Sequence, residues 1–257
     1  ITATLVALNN DALAYLDTVP SDSADVVTTD EIQAIIDRFS SSSLSTVNTT
    51  FGGPSDIDGD GKLLFLFTPV VDEVGGFGGF FRSASLFETN VGGDGNLADM
   101  MYISPTQGAD FYDPLLAHEY QHLVNFNQHV LVNDGSGEES WLNEALSYFT
   151  EDLIGGHVEG GNRGLLEAFL GAPESFRLNG DAFASSGIRG AAYLSLQTMI
   201  DLHGAGVPNS LVATNQTGVQ NIEAVTGASF DNLLEAFFTR NFLSATGLNG
   251  DPLQTYG

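Results

Sequence analysis

The residues His118-Glu119-Tyr120-Gln121-His122 set two imidazoles four positions apart, with a carboxylate beside the first. On a helix, side chains at i and i+4 stand one above the other, so both rings reach a single metal ion. Glu119 then brings its carboxylate to a water held in an open metal position. Zinc lowers the pKa of such a water toward about 7, and the carboxylate takes its proton as the water attacks a carbonyl. Two histidines also share a helix face without any metal, so the third ligand decides. A further H-x-x-G-x-x-H continuation would need Gly at 125 and His at 128; the chain has Asn125 and Gln128, and His129 is out of register by one. The other source is a glutamate on a following helix. Ser140-Trp141-Leu142-Asn143-Glu144-Ala145-Leu146-Ser147 supplies one, 22 positions after His122, with room for a loop and a helix turning back. Trp141, Leu142, Ala145 and Phe149 give that helix packing side chains, while Glu144 points at the metal.

A second motif suits a harder ion. Asp56-Ile57-Asp58-Gly59-Asp60-Gly61-Lys62 matches the first half of a calcium loop. Alternate carboxylates of Asp56, Asp58 and Asp60 turn inward, Gly61 permits the sharp turn, and Lys62 contributes its backbone carbonyl. The twelfth position holds Phe67 and not a bidentate glutamate, so this is not a full EF-hand. Asp94 and Asp99, in the Gly92 to Asp99 segment, offer further oxygens. An acidic turn before a strand is the plain alternative.

Elements must hold these groups. Residues 1–40 read as helical in two pieces, with Thr29-Asp30 capping a run that puts Ile32, Ile35, Ile36 and Phe39 at helical spacing. Leu63 to Phe67 is a short apolar run bounded by Gly and Pro, hence a buried strand, and Met100 to Ile103 is another. Gly75 to Gly93, rich in Gly, Phe and Ser, suggests irregular strand and loop. Asp113 caps the motif helix, with Pro114 in its first turn and Leu115, Leu116, Leu123 and Phe126 on its apolar face. The next helix follows Ser136, with Glu139 completing a capping box, and ends at Gly155-Gly156. Further helices are expected over 165–170, 190–202 and 230–242. The expected fold class is α+β: one domain over 1–257, with a mixed α/β lobe at 1–127 that includes the motif helix, a mainly helical lobe at 128–257, and the chemistry between them.

Composition narrows the partners. The 257 residues are 42% hydrophobic, enough for a sizeable core, and no stretch approaches the roughly 20 apolar residues of a membrane span. With 33 Asp+Glu against 7 Lys+Arg the formal net charge is −26, the wrong sign for nucleic acid or an anionic membrane surface. There is no cysteine, which excludes disulfide scaffolds and thiol catalysis. Ile1 opens the chain without a methionine, which reads as a mature secreted domain whose signal peptide has been removed. A monomer acting on proteins or peptides is expected.

The pair of His118-Glu119-Tyr120-Gln121-His122 and Trp141-Leu142-Asn143-Glu144-Ala145-Leu146-Ser147 resembles the gluzincin metallopeptidases. It looks most like the hyicolysin-type secreted bacterial peptidases, with echoes of thermolysin and the M1 aminopeptidases, over roughly 113–152. The resemblance implies a zincin-like fold and zinc on His118, His122 and Glu144, with Glu119 as general base and acid. Two departures stand out. Thermolysin-like enzymes place an aspartate four residues after the ligand glutamate to orient the first histidine; here Tyr148 stands there, leaving Ser147, Glu151 and Asp152 as candidates. The G-x-M-E-N stretch that anchors a free amine in M1 aminopeptidases is missing, which favours cleavage within chains. The family also uses a Tyr or His to stabilise the oxyanion. Tyr193, behind Gly190, is the first candidate, and Arg189, His157 and His203 are the others. His203 also reads as a helix-end cap, and His129 as a surface residue. Two other functions compete: a zincin-fold binding or adhesion module stabilised by calcium, and a calcium-dependent carbohydrate-binding domain. The first has no need of Glu119; the second leaves both histidines and Glu144 unexplained.

Overall fold

The computed structural model describes residues 2–18, 26–88, 95–155 and 162–246. Gly156, His157 and Asp94, singled out above, lie outside them. The chain divides into two compact units, Ile1–Asn127 with Thr150–Gly160, and Gln128–Phe149 with Gly161–Gly257.

In the first unit, β1 (Ala3–Leu8) and β2 (Ala12–Asp17) form an antiparallel hairpin. This replaces the first of the two helical pieces expected over 1–40. The Asn9 side chain accepts from the amides of Asp11 and Ala12 at 2.9 Å, a turn that reverses the chain after six residues. Helix α1 (Thr29–Arg38) follows the expected spacing: Ile32, Ile35 and Ile36 are buried, and Thr28 with Glu31 forms a reciprocal capping box. A wide π turn, Phe39–Ser43, leads into α2 (Leu44–Phe51).

Strand β3 (Leu63–Phe67) is central, pairing in parallel with β2 on one side and β5 (Met100–Ile103) on the other. That position explains its unbroken apolar run, since both faces are covered. After a short helix α3 (Val70–Val74), strand β4 (Gly79–Phe81) pairs antiparallel with β5 and closes the order β1-β2-β3-β5-β4 as an edge. The architecture is mixed α+β, a five-stranded sheet with a mostly helical remainder, as expected.

Helix α4 (Tyr112–Phe126) carries the histidine motif. It docks through Tyr120, whose ring meets Phe39 edge-on at 5.4 Å, and Phe39 in turn meets Phe65 of β3 at 5.1 Å. Asp113 does not cap it. A 3₁₀ turn (Ala109–Phe111) feeds straight into the helix, so Asp113 falls inside the first turn, where it favours the helix dipole and pairs with Arg38 at 2.8 Å.

In the second unit the chain runs through a π turn, Asn127–Val132, and into α5 (Ser140–Leu153), whose residues from Thr150 onward belong with the first unit. Helix α5 starts four residues after Ser136, so no capping box forms there. Among the described residues, five α-helices follow: α6 (Asn162–Leu170), α7 (Ser186–His203), α8 (Val207–Val212), α9 (Gly218–Thr226) and α10 (Phe230–Thr246). Phe169 of α6 stacks on Phe237 of α10 at 5.7 Å. Gly190 lets α7 approach α6, since a Cβ there would overlap the carbonyl of Leu165. His129 is not a surface residue: it is fully buried in the π turn, facing Glu138 and the backbone carbonyls of Leu211 and Thr214. His203 ends α7 and is exposed, ahead of Gly204 at φ 98°.

Candidate active site

The helical period of α4 does what the spacing requires. The rings of His118 and His122 lie 4.8 Å apart, nearly perpendicular at 82°. His118 is buried and His122 half-buried. Behind His118, Glu151 Oε1 sits 2.7 Å from Nδ1, with both side chains withdrawn from water. A carboxylate at that distance requires a proton on Nδ1, which leaves the Nε2 lone pair to bind a metal. Of the three residues considered for this role, Ser147, Glu151 and Asp152, the structure selects Glu151.

Glu144 and Glu151 share one helix. Seven residues make about two turns, short of a full repeat by about 20°, so both carboxylates leave the same face of α5. His118, His122 and Glu144 each offer one ligand atom, and these atoms lie within 4.8 Å of one another. Two imidazole nitrogens and one carboxylate oxygen are the donor set of a catalytic zinc, with a position left for water. The residues fit the ion.

Glu119 is buried beside His118, and its Oε2 accepts the amide of Phe81 at 2.9 Å. Strand β4 therefore holds the carboxylate from its outer edge. Gly79 permits this approach, because a Cβ there would sit 3.3 Å from Glu119 Cγ and 2.8 Å from the Tyr102 carbonyl. The sequence carried no signal for the Phe81 contact, since a backbone amide has no residue type. Tyr120, between the two ligands, is structural: its hydroxyl donates to Asn48 at 2.6 Å, and burial pushes its pKa well up.

Tyr193 is buried among Tyr148, Leu165 and Leu166, with Gln197 of its own helix 3.4 Å from its hydroxyl. Arg189, one turn earlier, donates to the Tyr148 hydroxyl at 3.1 Å.

Asp56, Asp58 and Asp60 are exposed, and their ligand atoms also lie within 4.8 Å of one another. Gly61 has φ 70° and donates its amide to Asp56 at 2.8 Å, closing the turn. Lys62 extends its side chain to the carbonyls of Asn9 and Asn10, which ties the loop to the β1–β2 turn. Asp99 is buried with its oxygens taken up by Ser55 and the Ile57 amide, so it braces the loop's entry.

No protein-family model matches the chain. Two solved structures align over most of it: yeast LTA4 hydrolase in complex with bestatin, at 12% identity and TM-score 0.44 over 99% of this chain and 39% of that one, and an M1 zinc metallopeptidase from Deinococcus radiodurans, at 14% and 0.45 over 94% and 47%. Among curated proteins, the neutral metalloprotease ShpI of Staphylococcus hyicus is 34% identical over an alignment of 121 residues that covers 42% of this chain. They cover 27% of ShpI, so the chain spans about a quarter of the length of the metalloprotease it resembles.

Proposed function

We propose that the chain is a secreted zinc-dependent endopeptidase of zincin-like architecture. The observation that carries this reading is the grouping of His118, His122 and Glu144 donor atoms within 4.8 Å, with the Glu119 carboxylate held next to the first ligand. The similarity to a neutral metalloprotease supports it. Zinc bound by these three residues supplies Lewis acidity, making a water nucleophilic near neutral pH and polarising a peptide carbonyl. Glu119 accepts the proton of the attacking water and hands it to the leaving amine. The Phe81 amide donates to Glu119 Oε2 at 2.9 Å and so helps to orient the carboxylate. Glu151 keeps His118 in the tautomer that binds metal.

Cleavage within chains is supported by the strand beside Glu119. Residues 78–82 read Gly-Gly-Phe-Phe-Arg, so this strand offers a substrate's free amine a cation and no carboxylate. Secretion is supported by the solvating acidic excess and the single lysine. Calcium on Asp56, Asp58 and Asp60 belongs to the same reading as a structural ion that neutralises three clustered carboxylates.

The test pairs metal analysis with hydrolysis of an internally quenched peptide. The wild-type chain should hold about one zinc and cleave the peptide. Glu119→Gln keeps the shape but takes no proton, so zinc should remain while turnover falls by about 10⁴-fold or more. Near-normal turnover in that variant would overturn the mechanism, and loss of zinc would make Glu119 structural.

A further inference from the structure

A cavity of about 400 Å³ in the first unit plays no part in the chemistry above. It is lined by Asp11, Ser40, Leu44, Ser45, Asn48 and Thr49. Its size falls in the range of about 300–1,000 Å³ usual for small-molecule sites, but its walls are polar where most such sites are apolar. One wall is helical: Ser45, Asn48 and Thr49 stand at i, i+3 and i+4 on α2 and so share a face. The rest comes from the β1–β2 turn, which carries Asp11, and from Ser40 of the π turn.

These walls are held by bonds that spare the lining groups. Asn9 Nδ2 donates to the Ile36 carbonyl at 3.1 Å and to Ser40 Oγ at 3.0 Å, tying the β1–β2 turn to the end of α1. Asn48 Oδ1 accepts the Tyr120 hydroxyl at 2.6 Å, so the Nδ2 of that amide is the group left for the cavity. Ser41, Ser42, Thr46 and Thr50 spend their hydroxyls on backbone carbonyls three or four positions back. Ser45 and Thr49 make no such bond, and the Asp11 carboxylate accepts from no other described residue.

This inventory selects a ligand. An amide and hydroxyls supply donors, hydroxyls and one carboxylate supply acceptors, and Leu44 adds an apolar contact. None of the six is a cation, and the net charge of −26 opposes an anion. A cationic ligand would meet a single carboxylate and leave the donors unmatched. Neutral vicinal diols match both kinds of group. Adjacent hydroxyls donate to the carboxylate oxygens and accept from the amide, while ring C–H groups lie on leucine. We propose that this cavity is a binding site for a neutral saccharide. It is separate from the zinc ligands and from the acidic loop of Asp56, Asp58 and Asp60, and it does not rest on the peptidase reading.

The experiment titrates the zinc-loaded full chain with four probes, maltose, cellobiose, lactose and di-N-acetylchitobiose, followed by calorimetry and ligand-observed NMR. At least one should bind with a Kd of about 1 mM, and glucose 6-phosphate should not displace it. Asp11→Asn should weaken binding about tenfold, since it replaces a charged acceptor by a neutral one. Ser45→Phe, at an exposed helix position, should fill the cavity and abolish binding. Melting curves and hydrolysis of the quenched peptide should be unchanged in both variants. Cleavage of a glycoprotein before and after enzymatic deglycosylation separates two sources of the sugar. A KM raised by Ser45→Phe for the glycosylated form alone places the sugar on the substrate; an equal KM for both forms, with saccharide binding lost, makes the ligand a free glycan. The proposal falls if no probe binds at about ten times the expected Kd, if glucose 6-phosphate competes, or if Asp11→Asn and Ser45→Phe bind as wild type does.

Discussion

Removing the carboxylate behind His118 separates metal binding from metal support. Glu151 Oε1 lies 2.7 Å from Nδ1, and the two side chains are 4% and 10% exposed, so water cannot replace the lost partner without cost. In Glu151→Ala the imidazole loses both its tautomer preference and its orientation. Supporting partners of this kind are worth about 10- to 100-fold in metal affinity, or about 1.4–2.7 kcal/mol. Glu151→Gln retains an acceptor oxygen but not the charge that makes such a bond about twice as strong as a neutral one. It should therefore lose only a few-fold. The assay is zinc competition against a chromophoric chelator at pH 7.5 for the three proteins. Melting curves run in parallel, because Glu151→Ala also leaves a buried donor unmatched at about 1–3 kcal/mol of fold stability. Wild-type zinc affinity in Glu151→Ala would refute the reasoning, as would a Gln variant weaker than the Ala variant.

Glu144→Ala, which removes a ligand and not its support, should cost more zinc affinity than the roughly 100-fold ceiling for a supporting residue; the same competition assay would expose full zinc occupancy as a contradiction. Calcium should raise the melting temperature of the chelated protein, by the equivalent of about 2.7 kcal/mol at a hundred times its Kd, and Asp58→Asn with Asp60→Asn should abolish the rise. A melting curve unmoved from micromolar to millimolar calcium would dismiss that ion. Burial depresses the pKa of His129, so the folded chain binds fewer protons there than the unfolded one; stability is whole above about pH 6.5 and falls as the pH drops through it. His129→Leu should flatten that loss between pH 7.5 and 5.5 in thermal melts. Glu138, raised chiefly by burial, pulls the other way, which is why the comparison is between variants.

What could be read without coordinates divides by range. The stacking of His118 and His122 was legible as a four-position helical offset, and Glu144, 22 positions on, as an acid on the next helix; the structure groups the ligand atoms of these three. Ile32, Ile35 and Ile36 of α1, and the apolar run of β3, were legible for the same local reason. The β1–β2 hairpin was not. Leu5, Leu8, Leu13 and Leu16 suit a helix as well as a strand, and the choice is made by β3, whose residues pair with β2 from about 50 positions away. His129 was misplaced by the same distance effect: a polar residue after a helix looks solvated until Leu211 and Thr214, more than 80 positions on, close over it. The site follows this rule in its own details. A search for an acceptor near Glu144 narrows His118's partner to three residues, and only the observed bond chooses Glu151. The amide that holds Glu119 belongs to Phe81, 38 residues earlier, and a backbone N–H leaves no mark in a sequence at all. Tyr148 stands four positions after Glu144 on α5 in plain view, yet the Arg189 side chain against its hydroxyl is visible only in the structure. The ligands of a metal are thus visible as residue types, whereas the groups that aim them are visible only as contacts, and it is among the latter that this chain departs from the enzymes its motif resembles.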